Sequence, residues 1–162
     1  MAILNILRYP NPILKKKGKA IKNIDPTIKK LIADMEETMR AAPGVGLAAP
    51  QVGESIRLFV ADVGEGLIVF INPKIVKRRG EQTLMEGCLC LPGIEAPVKR
   101  ASFVKVKGLN AKGDKQEIEA EGLLAQVFQH ETDHLDGKVF IDRVEDPTQI
   151  RTIAKGTKEE NI

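Results

Sequence analysis

The sequence predicts a single α+β domain, residues 1–162, built on an antiparallel sheet. Its 162 residues, 43% hydrophobic and 29% charged, fit one globular domain that buries a sizeable core. Runs with β-like spacing come first along the chain, and the helix with the most informative residues comes late. Because strands and helices do not alternate regularly, parallel crossovers and a doubly wound fold are not expected.

The first helix is predicted from its capping residues and its apolar spacing. Asp25 is a good N-cap, and Pro26 suits the first helical position. Pro43 and Gly44 end the pattern, and a Gly/Ala/Pro-rich loop follows over residues 44–53. The apolar positions at helical spacing are Ile28, Leu31, Ile32, Met35 and Met39.

The strands are predicted from short apolar runs separated by turn residues. Three such runs cover residues 56–61, 67–71 and 74–77. Two more, residues 103–109 and 116–121, are joined by a polar turn and predict a hairpin with one solvated face.

A second helix is predicted over residues 122–135, with Gly137 as its C-terminal stop. Its apolar positions share a face with the two histidines of the chain. Beyond Asp146 and Pro147, one short helix is expected before a polar end.

The composition and charge exclude several classes of partner. Only 4% of residues are aromatic, so stacking platforms for bases are lacking and no DNA partner is expected despite a net charge of +3. The basic clusters at residues 15–19 and 77–79 indicate solvated surface, or a weak contact with an acidic surface such as ribosomal RNA. The sequence shows no secretory signal and no apolar run of roughly 18 residues, so a cytoplasmic protein without a membrane partner is expected.

The two histidines are the most informative rare residues. They are the only ones in the chain, they stand four apart at His130 and His134, and Glu131 follows the first. On a helix, positions i and i+4 share a face, so both imidazoles can bind one metal ion. Glu131 then points beside the ion, where it can act as a general base.

A catalytic metal site needs a third protein ligand and one open position. A carboxylate would have to come from Glu145, Glu159 or Glu160, the last two in the polar tail. A thiolate from Cys88 or Cys90 is favoured, and a Cys/His/His set suits Fe(II), Zn or Co. The two cysteines cannot staple a domain of this size, and their spacing disfavours a bridge between them.

Residues 44–53 offer groups that could stabilise an oxyanion. The run GVGLAAPQVG allows close approach of the backbone and carries one side-chain amide, Gln51. Gly44, Gly46 and Ala49 also match a dinucleotide fingerprint, but a helix precedes them and Pro50 follows. Dinucleotide binding is therefore not expected.

Three blocks together carry a family resemblance: GVGLAAPQVG (44–53), EGCLCLPG (86–93) and QHETDHLDG (129–137). In this order and at these separations they resemble the three signature motifs of the peptide deformylase family. The resemblance also includes RYPNPILKK, RLFVAD, INPKI and KVFIDR, and it spans about residues 4–145.

The resemblance implies a fold, a reaction and a metal. The fold is α+β, with antiparallel strands packed around the central helix that carries the HExxH motif. The reaction removes the formyl group from the N-terminal formylmethionine of newly synthesised polypeptides and releases formate. Cys88 would be the third ligand, beside His130 and His134, of one divalent ion: Fe2+ first, with Zn2+, Ni2+ or Co2+ as substitutes.

The resemblance also implies roles for neighbouring residues. Glu131 would be the general base and later the acid, while the Gln51 amide and the Leu89 backbone N–H would hold the oxyanion. The residues implied to contact the substrate, some of them around a methionine pocket, are Gly44, Val45, Gly46, Glu86, Gly87, Leu123, Gln126 and Val127.

Cys90 is where this chain departs from the family pattern, which usually has Ser at that position. A small buried side chain is the favoured interpretation, with oxidation sensitivity or off-pathway metal binding as the alternatives. Two other functions would use the same two histidines. One is a zinc endopeptidase with another third ligand, and the other is a non-catalytic module whose metal site is closed by Cys88, Cys90, His130 and His134.

Overall fold

Two antiparallel sheets and two α-helices make up the fold in this computed structural model, which describes residues 2–153. The helices and strands, in chain order, are α1 (Pro26–Ala41), β1 (Gly46–Ala48), β2 (Leu58–Ala61), β3 (Ile68–Arg79), β4 (Gln82–Cys88), β5 (Leu91–Arg100), β6 (Phe103–Leu109), β7 (Lys115–Glu121), α2 (Gly122–Leu135) and β8 (Arg151–Thr152). Short 3-10 helices lie at Pro12–Lys15, Ala49–Val52, Phe140–Arg143 and Pro147–Gln149. The predicted α+β class with antiparallel sheet is confirmed.

The larger sheet has five strands in the order β1-β2-β3-β6-β7. Two runs that the sequence separated, 67–71 and 74–77, belong to the single strand β3. Its pairing with β6 shifts register between Ile71 and Lys74, where Asn72 has a positive φ of 52°. The Asn72 side chain bonds the backbone N–H and C=O of Ile21 at 2.8 Å each, which stabilises this bulge.

Helix α2 packs on one face of this sheet and α1 on the other. The α2 side is centred on Phe59, Phe70 and Phe128, whose ring centroids lie 5.5 to 5.8 Å apart. On the α1 side, Met35 and Met39 pack with the alternate residues of β2. Strand β2 is therefore buried on both faces, which explains why its sequence LFVA shows no polar alternation.

The smaller sheet has three strands in the order β4-β5-β8. The sequence did not predict the β4–β5 hairpin, which carries both cysteines. Pro92, Gly93 and Pro97 interrupt the pattern of β5, and the apolar Met85 on β4 is 43% exposed. The alternation of apolar and polar residues that predicts a strand is therefore not visible in the sequence. Its buried side chains pack against Leu14 and Phe140.

Helix α2 has the predicted bounds, Gly122–Leu135, and Gly137 follows it with a φ of +78°. A Cβ at Gly137 would lie 2.5 Å from the carbonyl oxygen of Lys15, so both conformation and space require glycine there. The short helix expected after Asp146 is the 3-10 turn at Pro147–Gln149. Neither α-helix within residues 2–153 has the length and apolarity of a membrane span.

Candidate active site

Helix α2 places three chemically active side chains in the interior of the protein. His130, Glu131 and His134 are each at most 1% exposed. The two imidazole rings, one helical turn apart, have centroids separated by 5.0 Å. Burial lowers the pKa of His134 well below its ordinary value, so this ring is held in the neutral form that ligates metals.

Cys88 reaches the histidines from the other sheet. It ends β4, and its Sγ lies 3.3 Å from Nε2 of His134. One ligand atom from each of Cys88, His130 and His134 lies within 4.8 Å of the other two. The β4–β5 hairpin and α2 therefore bring together the three residues that the sequence predicted as a metal site.

The donor atoms of this cluster fit a bound cation. Among residues 2–153, Nε2 of His130 is buried and accepts no hydrogen bond, a condition that costs free energy unless a ligand satisfies it. Two imidazoles and one sulfur form a three-ligand set typical of catalytic metal sites with an open position. Burial raises the pKa of the Cys88 thiol, and a coordinated cation would reverse that effect because it deprotonates a ligating thiol.

A buried carboxylate orients the first histidine. Glu86 Oε1 lies 2.7 Å from Nδ1 of His130, and both Glu86 oxygens bond Arg100, at 2.6 and 3.0 Å. Nδ1–H thus donates to Glu86, and the lone pair of Nε2 is directed to the metal position. Burial alone would raise the pKa of Glu86, but the bonds to His130 and Arg100 outweigh it and lower the pKa.

The network continues from Arg100 to the surface. Arg100 also bonds Asp133 at 2.8 Å, and Asp133 accepts two bonds from Arg143, at 3.1 and 3.0 Å. Sequence reasoning missed these three residues because a buried arginine cannot be distinguished from a surface one by pattern. The position of Asp133 inside the HExxH motif was the one sequence feature that could have indicated this network.

Two residues that the sequence assigned to substrate contact, Glu86 and Gln126, also lie in this network. Glu86 is fully buried with both carboxylate oxygens engaged. Gln126 is also fully buried, and its amide bonds Glu86, the carbonyl of Val98 and the side chain of Gln82. Both side chains thus support the site from a buried position, and their contact with substrate stays a prediction.

Glu131 lies against β1. Its carboxylate is fully buried, and neither oxygen has a hydrogen-bond partner within the described part of the chain. A Cβ at Gly46 would lie 2.5 Å from Oε2, so this carboxylate occupies the space that only glycine leaves. Burial and the nearby Cys90 and Glu86 raise the pKa of Glu131 well above its ordinary value, so this carboxylate binds a proton more readily than an exposed glutamate does.

The two groups predicted to bind an oxyanion lie next to Cys88. Gln51 accepts a bond from the Ala48 N–H at 2.8 Å, and its Nε2 points to Cys88 Sγ at 3.4 Å. Leu89 follows Cys88 in the turn between β4 and β5, and both residues line a cavity of about 460 Å³. The cavity provides space for a ligand beside the metal position.

The other predicted substrate residues surround α2 and β1. Val45 and Leu123 are half-buried and pack against the hydrophobic cluster that contains Phe128, whereas Val127 is a fully buried member of that cluster. Gly44 precedes β1 and donates its N–H to Met39 at 2.8 Å. Gly87 is buried in β4. Their contact with substrate stays a prediction.

Other candidate ligands are not part of the cluster. Glu145 has a side chain 72% exposed and pairs with Lys99 at the surface, while Glu159 and Glu160 lie outside the described residues. Cys90 Sγ contacts Cys88 Sγ at 3.1 Å, but it is absent from the group of ligand atoms that lie within 4.8 Å of one another. The closed four-ligand site therefore has no support in this geometry.

The HExxH motif lies on a helix, a cysteine reaches it from a neighbouring hairpin, and a buried glutamate beside them lacks a hydrogen-bond partner within residues 2–153. These features define a metallohydrolase on an α+β fold. A statistical model of the polypeptide deformylase family matches residues 3–149. The chain belongs to this family.

Individual relatives agree in sequence and in fold. The peptide deformylase of Clostridium botulinum is 53% identical over 143 residues, which are 88% of this chain and 97% of that protein. The crystal structure of the Legionella pneumophila enzyme has a TM-score of 0.88 at 46% identity and covers 91% of this chain and 89% of its own. The Thermotoga maritima structure, also at a TM-score of 0.88, is 44% identical and covers 90% and 100% of the two chains.

Proposed function

We propose that this protein hydrolyses the formyl amide of N-terminal formylmethionine on newly synthesised polypeptides and releases formate. The observation that carries the proposal is the convergence of Cys88, His130 and His134 beside the unpaired carboxylate of Glu131. Membership of the peptide deformylase family supports the substrate class. The rival endopeptidase function has no such support.

The proposed cofactor is one divalent ion, with Fe2+ as the first candidate and Zn2+, Ni2+ or Co2+ as substitutes. Cys88, His130 and His134 would hold it. When bound, such an ion supplies Lewis-acid chemistry and makes water acidic enough to ionise near neutral pH. Glu86 holds the tautomer of His130 that leaves Nε2 free for this purpose.

Glu131 is proposed to move the proton. As a carboxylate it takes a proton from the attacking water, and it then delivers this proton to the leaving amine as the C–N bond breaks. Burial raises the pKa of Glu131, which makes this carboxylate a stronger base toward water.

Gln51 and Leu89 are proposed to stabilise the oxyanion of the tetrahedral intermediate. The Gln51 amide is already fixed by its bond from Ala48, so little reorganisation is needed when charge develops. The Leu89 N–H supplies the second donor from the turn beside Cys88. Loss of one such donor typically lowers kcat about 10²- to 10³-fold.

The location of the protein in the cell and a weak contact with ribosomal RNA are also proposals. We place the protein in the cytoplasm, where new polypeptides carry the formyl group. The clusters at residues 15–19 and 77–79 are exposed except for Gly18, and a weak contact of these clusters with ribosomal RNA stays a prediction.

The test is a comparison of two blocked peptides. Protein loaded with Fe(II) under anaerobic conditions is given formyl-Met-Ala or acetyl-Met-Ala, and release of the free amine is measured. We expect turnover of the formyl peptide and little of the acetyl peptide, since the acyl group would have to enter among the buried side chains of Gln51, Cys88 and Glu131. Equal turnover of both peptides, or cleavage only of internal peptide bonds, would reject the proposed function.

A further inference from the structure

Cys90 is a buried thiol that the proposed reaction does not use. Its Sγ lies 3.1 Å from that of Cys88, and both residues are 1% exposed. They flank Leu89 in the turn between β4 and β5, where Cys88 pairs with Leu91. The turn therefore holds a second thiol in contact with a proposed metal ligand.

The turn geometry permits a covalent bond that the sequence spacing disfavoured. Two residues separated by one other have Cα atoms at most about 7 Å apart, and a turn shortens that distance into the range that disulfides tolerate. A disulfide has a sulfur–sulfur distance of about 2.05 Å, so the two sulfurs must approach by roughly 1 Å. Small side-chain rotations within the turn supply this movement.

We propose that Cys88 and Cys90 form a reversible redox site, in which peroxide converts the two thiols to an intramolecular disulfide and the chain loses its metal. Peroxide transfers one oxygen to the Cys88 sulfur, which becomes a sulfenic acid, and one water leaves. The Cys90 sulfur then displaces that oxygen, so that the S–S bond forms, the S–O bond breaks and a second water leaves. Two thiols are oxidised by two electrons, and one peroxide is reduced to two waters.

Access determines which sulfur reacts first. Cys88 lines the 460 Å³ cavity together with Leu89, and Cys90 is not among the lining residues. Both cysteines pack in the cluster that contains Leu14 and Phe140, so the cavity lining is what distinguishes them. Peroxide that enters the cavity therefore meets Cys88, and Cys90 acts from behind as the resolving thiol.

Loss of the metal follows from the charge on sulfur. The thiolate is the form of cysteine that ligates a metal, and a disulfide sulfur carries no charge. With Ser in place of Cys90, the sulfenic acid has no resolving partner and proceeds to the irreversible sulfinic acid. Cys90 thus converts permanent damage into a state that a thiol reductant reverses. The metal-release step rests on the proposed function through Cys88, whereas the disulfide does not.

The experiment treats zinc-loaded protein with about two equivalents of hydrogen peroxide per chain, which is enough to carry one thiol to the sulfinic acid. Zinc is used because it undergoes no redox chemistry itself. Mass spectrometry of intact protein and of its peptides follows the sulfur chemistry, and a chromophoric chelator follows zinc release. In the wild type we expect loss of two hydrogens, a Cys88–Cys90 disulfide peptide and matching zinc release, all reversed by dithiothreitol. In Cys90→Ser we expect sulfinic acid at Cys88 and zinc binding that dithiothreitol does not restore.

Each remaining outcome counts against a definite part of the proposal. Sulfinic acid at Cys88 of the wild type without the disulfide would overturn the redox site, even in a protein that is active as a deformylase. A disulfide that forms with zinc retained would overturn the release step and the assignment of Cys88 as a ligand. Mapping of the wild type needs no variant, and Cys90→Ala replaces Cys90→Ser if the latter fails to fold.

Discussion

Glu131 has surroundings that do not suit a side chain with a purely structural role. A fully buried carboxylate normally has hydrogen-bond partners, yet both of its oxygens lack one within residues 2–153. Glu86, by contrast, is equally buried and fully bonded. The two carboxylates beside His130 thus differ in environment. That of Glu131 suits proton transfer, and that of Glu86 suits the orientation of His130.

Single substitutions should separate the two cysteines by metal retention. We expect Cys88→Ser to lose most of its bound metal on dialysis, because a serine hydroxyl does not replace a thiolate ligand. Cys90→Ser should keep a metal content close to that of the wild type, since its sulfur lies outside the ligand cluster. Metal analysis of both purified variants provides the measurement, and equal contents would contradict the assignment of Cys88.

Glu86 should affect metal affinity through His130. We expect Glu86→Gln to weaken metal binding by about 10- to 100-fold, as is typical when the partner of a ligating histidine is changed. Glu95→Gln is the matched control, because Glu95 is also a buried carboxylate of the small sheet but pairs with the exposed Arg151. Competition with a chelator of known affinity measures both variants, and similar losses would show that the effect is not specific to His130.

At the scale of elements, the close approach of β1 to α2 positions Glu131. Gly46 shows no positive φ, so the requirement for glycine comes from the Glu131 carboxylate above it and not from backbone conformation. The sequence predicted residues 44–53 only as a loop, since three residues of strand are too few to show a period. The contact between Gly46 and Glu131 is long-range and leaves no local signal.

Gly46→Ala tests this contact. The added methyl group would lie 2.5 Å from Oε2, so Glu131 must shift, and a shift of about 1 Å in a catalytic group can cost roughly 10²-fold in turnover. We expect metal content to stay at the wild-type level. In a Glu131→Ala background the same methyl group has space and should lower neither turnover nor thermal stability further. Additive stability losses in this double-mutant cycle would argue against the contact.

The elements differ in how well the sequence predicted them. Helix α2 was predicted with its observed bounds because its apolar spacing and the stop at Gly137 agree. The β4–β5 hairpin was missed because its strands pair across a turn with no Asn-Gly or Asp-Gly signal and contain Pro92 and Pro97. The missed hairpin carries Cys88, so only the family resemblance distinguished Cys88 from Cys90.

For the whole molecule, the metal position lies where the small sheet meets helix α2. Cys88 belongs to the cluster of the small sheet, whereas α2 packs on the large sheet. A cation between Cys88 and the two histidines therefore links the two sheets. Sequence reasoning could predict the ligands but not this linkage, because which sheet holds which ligand depends on strand order.

Metal binding should consequently raise the melting temperature. At a free metal concentration 100 times Kd the expected stabilisation is about 2.7 kcal/mol, which corresponds to roughly 5 to 10 °C for a domain of this size. Calorimetry of chelated and reloaded protein measures the shift. Cys88→Ser should show a much smaller shift, and an equal shift in that variant would place the stabilising metal elsewhere.

The most direct test of metal-dependent deformylation measures formate release while Fe(II) is titrated into metal-free protein under anaerobic conditions. We predict that the rate of formate release rises in proportion to bound metal and saturates at one ion per chain. Glu131→Gln should bind the same single ion and release formate at least about 10²-fold more slowly. Full activity in metal-free protein, or wild-type turnover in metal-loaded Glu131→Gln, would contradict this prediction.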